Sequence, residues 1–126
     1  MTLDTTTNSL SWIINWENLT GPISGMHFHG PANPGQNAGV RVNIGSISGL
    51  TSPSAGSTTI SAALAGELQS GLWYVNLHTA AHTGGEIRGQ VVSAPVVACD
   101  GDANGDMIVD VNDLSYVLFR LGNPCP

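Results

Sequence analysis

The chain has 126 residues, of which 41 % are hydrophobic and only 10 % charged, with no lysine and a formal charge of −6. So few cations exclude a surface for nucleic-acid phosphates or anionic lipid, which needs clustered Lys and Arg. No run approaches the roughly 18 apolar residues of a membrane-spanning helix, and the hydrophobic content is too high for an intrinsically disordered chain.

Charge divides the chain in two. Up to Pro95 the net charge is −2, whereas from Val96 onward five aspartates face Arg120 alone for a net of −4. This asymmetry predicts two modules, residues 1–95 and 96–126, joined near Ser93-Ala94-Pro95.

In the first module the pattern has a period of two. Leu10, Trp12, Ile14 and Trp16 share one face of an extended segment, and Val40, Val42 and Ile44 alternate with Arg41 and Asn43. Trp73, Val75 and Leu77 alternate with Tyr74, Asn76 and His78, and Ile87, Gly89 and Val91 with Glu86, Arg88 and Gln90. Gly, Pro, Asn and Ser clusters such as Gly30-Pro-Ala-Asn-Pro-Gly35 supply turns. Only residues 61–69 read as a helix, with Ser61 as N-cap. The expectation from this spacing is a mainly β fold, an antiparallel sandwich or barrel.

All four histidines lie in two short stretches, His27 and His29 two apart and His78 and His82 four apart. Residues two apart on a strand project to one side, so His27 and His29 point together and Met26 and Phe28 point away. With the strand of His78 alongside, up to four imidazoles converge, a donor set suited to copper or zinc. A plainer reading has these rings bonded to backbone carbonyls and to Glu86, with a Glu86–Arg88 pair riveting the sheet. No Gly-x-Ser-x-Gly nucleophile elbow is present. The tryptophans occupy alternating, core-like positions rather than a sugar-stacking platform. Asn18-Leu-Thr20 matches an N-glycosylation sequon.

The residues Asn18-Leu-Thr-Gly-Pro-Ile-Ser-Gly-Met-His-Phe-His-Gly-Pro-Ala32, Gly71-Leu-Trp-Tyr-Val-Asn-Leu-His-Thr79 and Gly84-Gly-Glu-Ile-Arg-Gly-Gln90 resemble the CHRD (chordin-type) domain over residues 2–92. That resemblance implies a secreted β-sandwich with no established reaction. CHRD domains usually carry a strand-forming segment upstream of the stretch resembling residues 2–10, and this chain starts inside that stretch. The expectation is that a neighbouring subunit completes the sheet by adding a strand. The His-x-His element resembles the copper strand of copper,zinc superoxide dismutase, itself a β-sandwich. Together these resemblances imply a mainly β fold, an antiparallel immunoglobulin-like or superoxide-dismutase-like β-sandwich, followed by a small C-terminal calcium-loop–helix module.

In the second module Asp102, Asn104, Asp106, the carbonyl of Ile108, Asp110 and Asp113 fall at positions one, three, five, seven, nine and twelve of a calcium loop. Residues 114–121 read as a helix ended by Gly122. The closing Asp113-Leu114 resembles a dockerin-type repeat. Met107 stands where such loops carry Gly, and one repeat is present where dockerins have two, so a cohesin partner does not follow. Cys99 and Cys125 bracket the module, and a disulfide between them closes about 25 residues and stabilises by about 3.5 kcal/mol. A disulfide and a calcium loop point to an extracellular, secreted or cell-surface protein. No leader with a charged start and an apolar stretch opens the chain.

These features predict a non-enzymatic structural or adhesive protein, stabilised by calcium and assembling into a homo-oligomer or filament or onto a cell-surface partner. The alternatives are a copper- or zinc-binding protein or superoxide-dismutase-like metalloenzyme using His27, His29, His78 and His82, and a carbohydrate-binding module with a dockerin-like anchor.

Overall fold

The chain divides into two units, Met1–Ser93 and Ala94–Pro126. A computed structural model describes residues 1–92. The residues expected to form a calcium loop, a following helix and a Cys99–Cys125 disulfide therefore lie outside the described residues.

Two antiparallel sheets form the sandwich. One holds three strands in the order β1 (Thr2–Asp4), β2 (Ser9–Ile14), β5 (Ser54–Thr59). The other holds four, in the order β4 (Val40–Asn43), β3 (Ile23–His29), β6 (Trp73–Thr79), β7 (Ile87–Val91). Helices α1 (Ile44–Ser48) and α2 (Ala62–Gln69) complete the described elements.

The period-two residues meet between the sheets. Leu10 and Trp12 of β2 face Met26 and Phe28 of β3 and Trp73 and Leu77 of β6, all at most 3 % exposed. The Phe28 ring links the layers, edge-on to Trp12 at 5.8 Å and tilted against Trp73 at 6.0 Å, contacts that add to the area they bury. Trp12 and Trp73 are thus core residues, and Trp16 packs partly buried against them. Each buried indole N–H has a partner: Trp12 donates to Ser48 Oγ at 3.0 Å and Trp73 to Glu67 Oε2 at 3.0 Å. Glu67 on α2 also accepts from Arg41 on β4, Nε to Oε2 at 2.9 Å and Nη2 to Oε1 at 3.1 Å, fixing α2 across the sheet end.

Two elements depart from the sequence reading. Ile44 continues the alternation of Val40 and Val42, yet the strand stops at Asn43, whose side chain accepts the Ser46 N–H at 3.0 Å and caps α1. Ile44 is still fully buried, so helix and strand satisfy the same pattern over so few residues. Strand β5 has the sequence Ser-Ala-Gly-Ser-Thr-Thr, with no apolar alternation. Its small residues suit a crowded position: a Cβ on Gly56 would meet Ser48 Cβ at 2.8 Å and the Trp12 ring at 3.0 Å.

Removing the bridging ring and removing the cap have different sizes. Phe28→Ala is expected to destabilise the sandwich by about 3–5 kcal/mol, and Asn43→Ala by about 1 kcal/mol, in chemical denaturation followed by tryptophan fluorescence.

Candidate metal centre

Because β3 and β6 alternate, the strands that put Met26, Phe28, Trp73 and Leu77 into the core present His27, His29, Tyr74, Asn76 and His78 on the opposite face of the sheet. The register sets His27 opposite Asn76, His29 opposite Tyr74 and Gly25 opposite His78. Gly25 leaves room for the rings, since a Cβ there would lie 3.2 Å from the His27 ring and 3.7 Å from that of His78.

The three imidazoles crowd together, with ring centroids 5.1 Å apart for His27–His78, 5.5 Å for His27–His29 and 6.0 Å for His29–His78. One nitrogen from each lies within 4.8 Å of the other two. A four-coordinate ion with bonds near 2.0–2.1 Å needs its nitrogens about 3.3 Å apart, so the set would have to draw in by up to about 1.5 Å around an ion. His82 does not join it. That residue is exposed and its main chain closes the turn after β6, with His82 N–H reaching Thr79 O at 3.2 Å and Gly85 N–H reaching His82 O at 3.0 Å. The sequence reading brought up to four histidines together, and the structure brings three.

Two loops fix the rings. His29 Nδ1 lies 2.9 Å from Ala38 O, and His78 Nδ1 lies 2.9 Å from Thr83 O. A carbonyl only accepts, so in each ring Nδ1 carries the hydrogen and Nε2 is left with its lone pair free. Those two Nε2 atoms are buried without a partner, as is Nδ1 of His27. Among the described residues the only other buried side-chain polar atom without one is Asn76 Oδ1, on the same face; its Nδ2 donates to Gly84 O at 3.1 Å.

Among the described residues no carboxylate joins the group. Glu86 is held elsewhere, accepting from Thr20 N at 2.7 Å, Thr20 Oγ1 at 2.8 Å and Thr79 Oγ1 at 2.7 Å. Arg88 does not pair with it. Its guanidinium donates to Asn37 Oδ1 at 3.0 Å and Gln36 O at 2.8 Å and lies 3.6 Å above the Tyr74 ring. Tyr74 in turn stacks on His29, centroids 5.0 Å apart and planes 5° off parallel, while the Ala38 N–H donates to its hydroxyl at 3.1 Å. The riveting Glu86–Arg88 pair is therefore replaced by two separate clamps. Burial lowers the pKa of His27, and the neighbouring His78 and His29 lower it further, so the site disfavours a proton where a cation would bind.

Residues 1–91 match the family model of the CHRD domain. The chain belongs to the CHRD-domain family. CHRD domains occur in extracellular proteins. No curated protein and no solved structure matches the chain. All three clustered histidines fall within the matched CHRD segment.

Glu86 gives this CHRD domain an acid-sensitive tie. Hydrogen bonds from the Thr79 hydroxyl and the Thr20 N–H hold its carboxyl below the ordinary 4.5. A depressed carboxyl stabilises the fold above its ordinary value and loses that contribution as pH falls through the lowered one. Glu86→Gln should therefore flatten the fall in melting temperature below pH 4.5, as read by calorimetry across an acid pH series.

Proposed function

We propose that this CHRD domain is an extracellular metal-binding module that holds one copper or zinc ion between His27, His29 and His78. A single observation carries the reading: three imidazoles clustered on one sheet face, with a nitrogen of each within 4.8 Å of the others, each hold one buried nitrogen without a partner. Leaving a buried polar atom unpaired costs about 1–3 kcal/mol, and one cation satisfies three at once. Imidazole is the preferred donor of both ions, and the loop carbonyls supply the outer hydrogen bonds that orient histidine ligands. Among the described residues the group is made of imidazoles alone, a donor set that suits copper or zinc rather than calcium.

Titrating the protein with Cu(II) or Zn(II) is expected to give one equivalent bound per domain. The complex should raise stability by about 2.7 kcal/mol at a free metal concentration 100-fold above Kd. His29→Gln should abolish this and His82→Ala should leave it intact. Binding should weaken as the solution is acidified, because protons compete for the ligand nitrogens.

A second reading, a structural protein that self-assembles, draws on the free edge of β2. Strand β1 covers only Ser9–Ser11 of its neighbour. Among the described residues none pairs with Trp12–Ile14 on that side. A cleft of about 230 Å³ lies at the end of this edge, lined by Ile14, Val75, Leu77 and Ile87 among others, and no Lys or Pro guards it. A strand from a second copy fits such an edge, and calcium held by Asp102, Asn104, Asp106, Ile108, Asp110 and Asp113 would stabilise the assembling chain. Sedimentation is expected to show oligomers that Ile87→Asp dissolves and that a calcium chelator weakens. A strict monomer with calcium present would end this reading.

A further inference from the structure

Resting on the metal reading, we propose that the side-chain oxygen of Asn76 is the fourth ligand of the bound ion, which makes the centre a closed, structural one. Among the described residues, the buried side-chain polar atoms without a partner are the three imidazole nitrogens and Asn76 Oδ1. Position groups that oxygen with the nitrogens. Asn76 stands opposite His27 in the register of β3 and β6, two residues before His78 on the same strand face. Directly opposite residues hold their Cβ atoms about 4.5–5.5 Å apart, so the amide neighbours both histidines. Asn76 is only 5 % exposed, within the range of the core residues.

A tether sets the orientation of the amide. Gly84 O lies 3.1 Å from Nδ2 and can only accept, so the NH2 end must face it and the oxygen is turned elsewhere. The preceding carbonyl, Thr83 O, fixes His78 in the same way. Two consecutive residues of one turn thus orient two adjacent donors, the kind of outer support that metal ligands carry. No other described group claims the oxygen. Arg88, opposite Asn76 on β7, donates to Gln36 O and Asn37 Oδ1 instead. Gly85, at φ 119°, lies so close that a Cβ there would collide with the amide, which leaves no room for a water on that side. Three imidazoles and one oxygen complete the four-coordinate sphere that structural zinc sites keep. A filled fourth position leaves none for a substrate, so the ion's role is to fasten the turn at residues 83–85 to β3 and β6.

The test loads the full chain with one equivalent of Co(II), a spectroscopic stand-in for zinc, in excess calcium to occupy any all-oxygen site, and then adds azide. The wild-type absorption should be that of a four-coordinate ion and should not change with azide, because no position is open. Asn76→Leu keeps the size but lacks the donor. Its affinity for Zn(II) should fall about tenfold or more, since loss of even an outer hydrogen-bond partner costs that much, and its Co(II) spectrum at saturation should differ. Asn76→Asp keeps an oxygen in place and should hold Zn(II) at least as tightly as the wild type. Each affinity is read against that variant's own metal-free form, so the lost bond to Gly84 does not enter. The proposal is overturned, and the metal reading left standing, by a wild-type spectrum that moves with azide. The same follows if Asn76→Leu binds both ions as the wild type does, or if Asn76→Asp loses as much affinity as Asn76→Leu. A folded wild-type chain that takes up neither zinc nor copper overturns both.

Discussion

The bond from an imidazole Nδ1–H to a loop carbonyl is the constraint on which the site depends. His29 reaches Ala38 and His78 reaches Thr83, each at 2.9 Å. Each bond does two things at once. It ties a loop down onto the outer face of the sheet, and it forces the proton onto one nitrogen so that the other must present a lone pair inward. Without the tethers the rings would be free to turn toward water. With them, two acceptors are held where no donor among the described residues reaches them, and His27 brings a third buried, unpartnered nitrogen.

Such an arrangement is unfavourable by itself. Buried polar atoms nearly always find partners, and the few that do not call for a reason. Here the unsatisfied atoms among the described residues are not scattered; they share one face of β3 and β6. Protonation does not relieve them, because burial and the two neighbouring rings lower the pKa of His27. A metal ion differs from a proton in that all three nitrogens share its charge. The same crowding that repels a proton from one ring therefore favours a cation placed between them.

Much of this was legible in the residues, and the gaps have physical causes. The pairs Met26/His27 and Phe28/His29 announce a two-faced strand, because alternation alone separates core from site. Residues 54–59 gave no such signal: their side chains are small because Trp12 and α1 press on them, a tertiary demand invisible in local sequence. His82 lies four residues after His78, but β6 ends at Thr79 and the turn carries His82 away, which spacing without a boundary does not reveal. Glu86 and Arg88 share a strand parity that suggests a pair. Thr20, Gln36 and Asn37, which claim them instead, are 66, 52 and 51 residues distant in the chain. The signal for those contacts lies in loop closure and not in any local pattern.

Placing the site on the outer face also separates its fate from that of the fold. The core behind it is made by Leu10, Trp12, Phe28, Trp73 and Leu77, none of which touches the role of the imidazoles. The face that carries the histidines is held by polar clamps instead: Arg88 on Gln36 and Asn37, Gln90 on the Ala32 and Gly71 carbonyls, Tyr74 against Ala38. A sandwich built this way can exchange ligands, loops and charge on one surface while the other keeps the sheets together. The stack of Arg88 on Tyr74 on His29 crosses that boundary only through a shared aromatic ring, so the cation influences the ligand by its field and by packing, not by a bond that a bound ion would have to break.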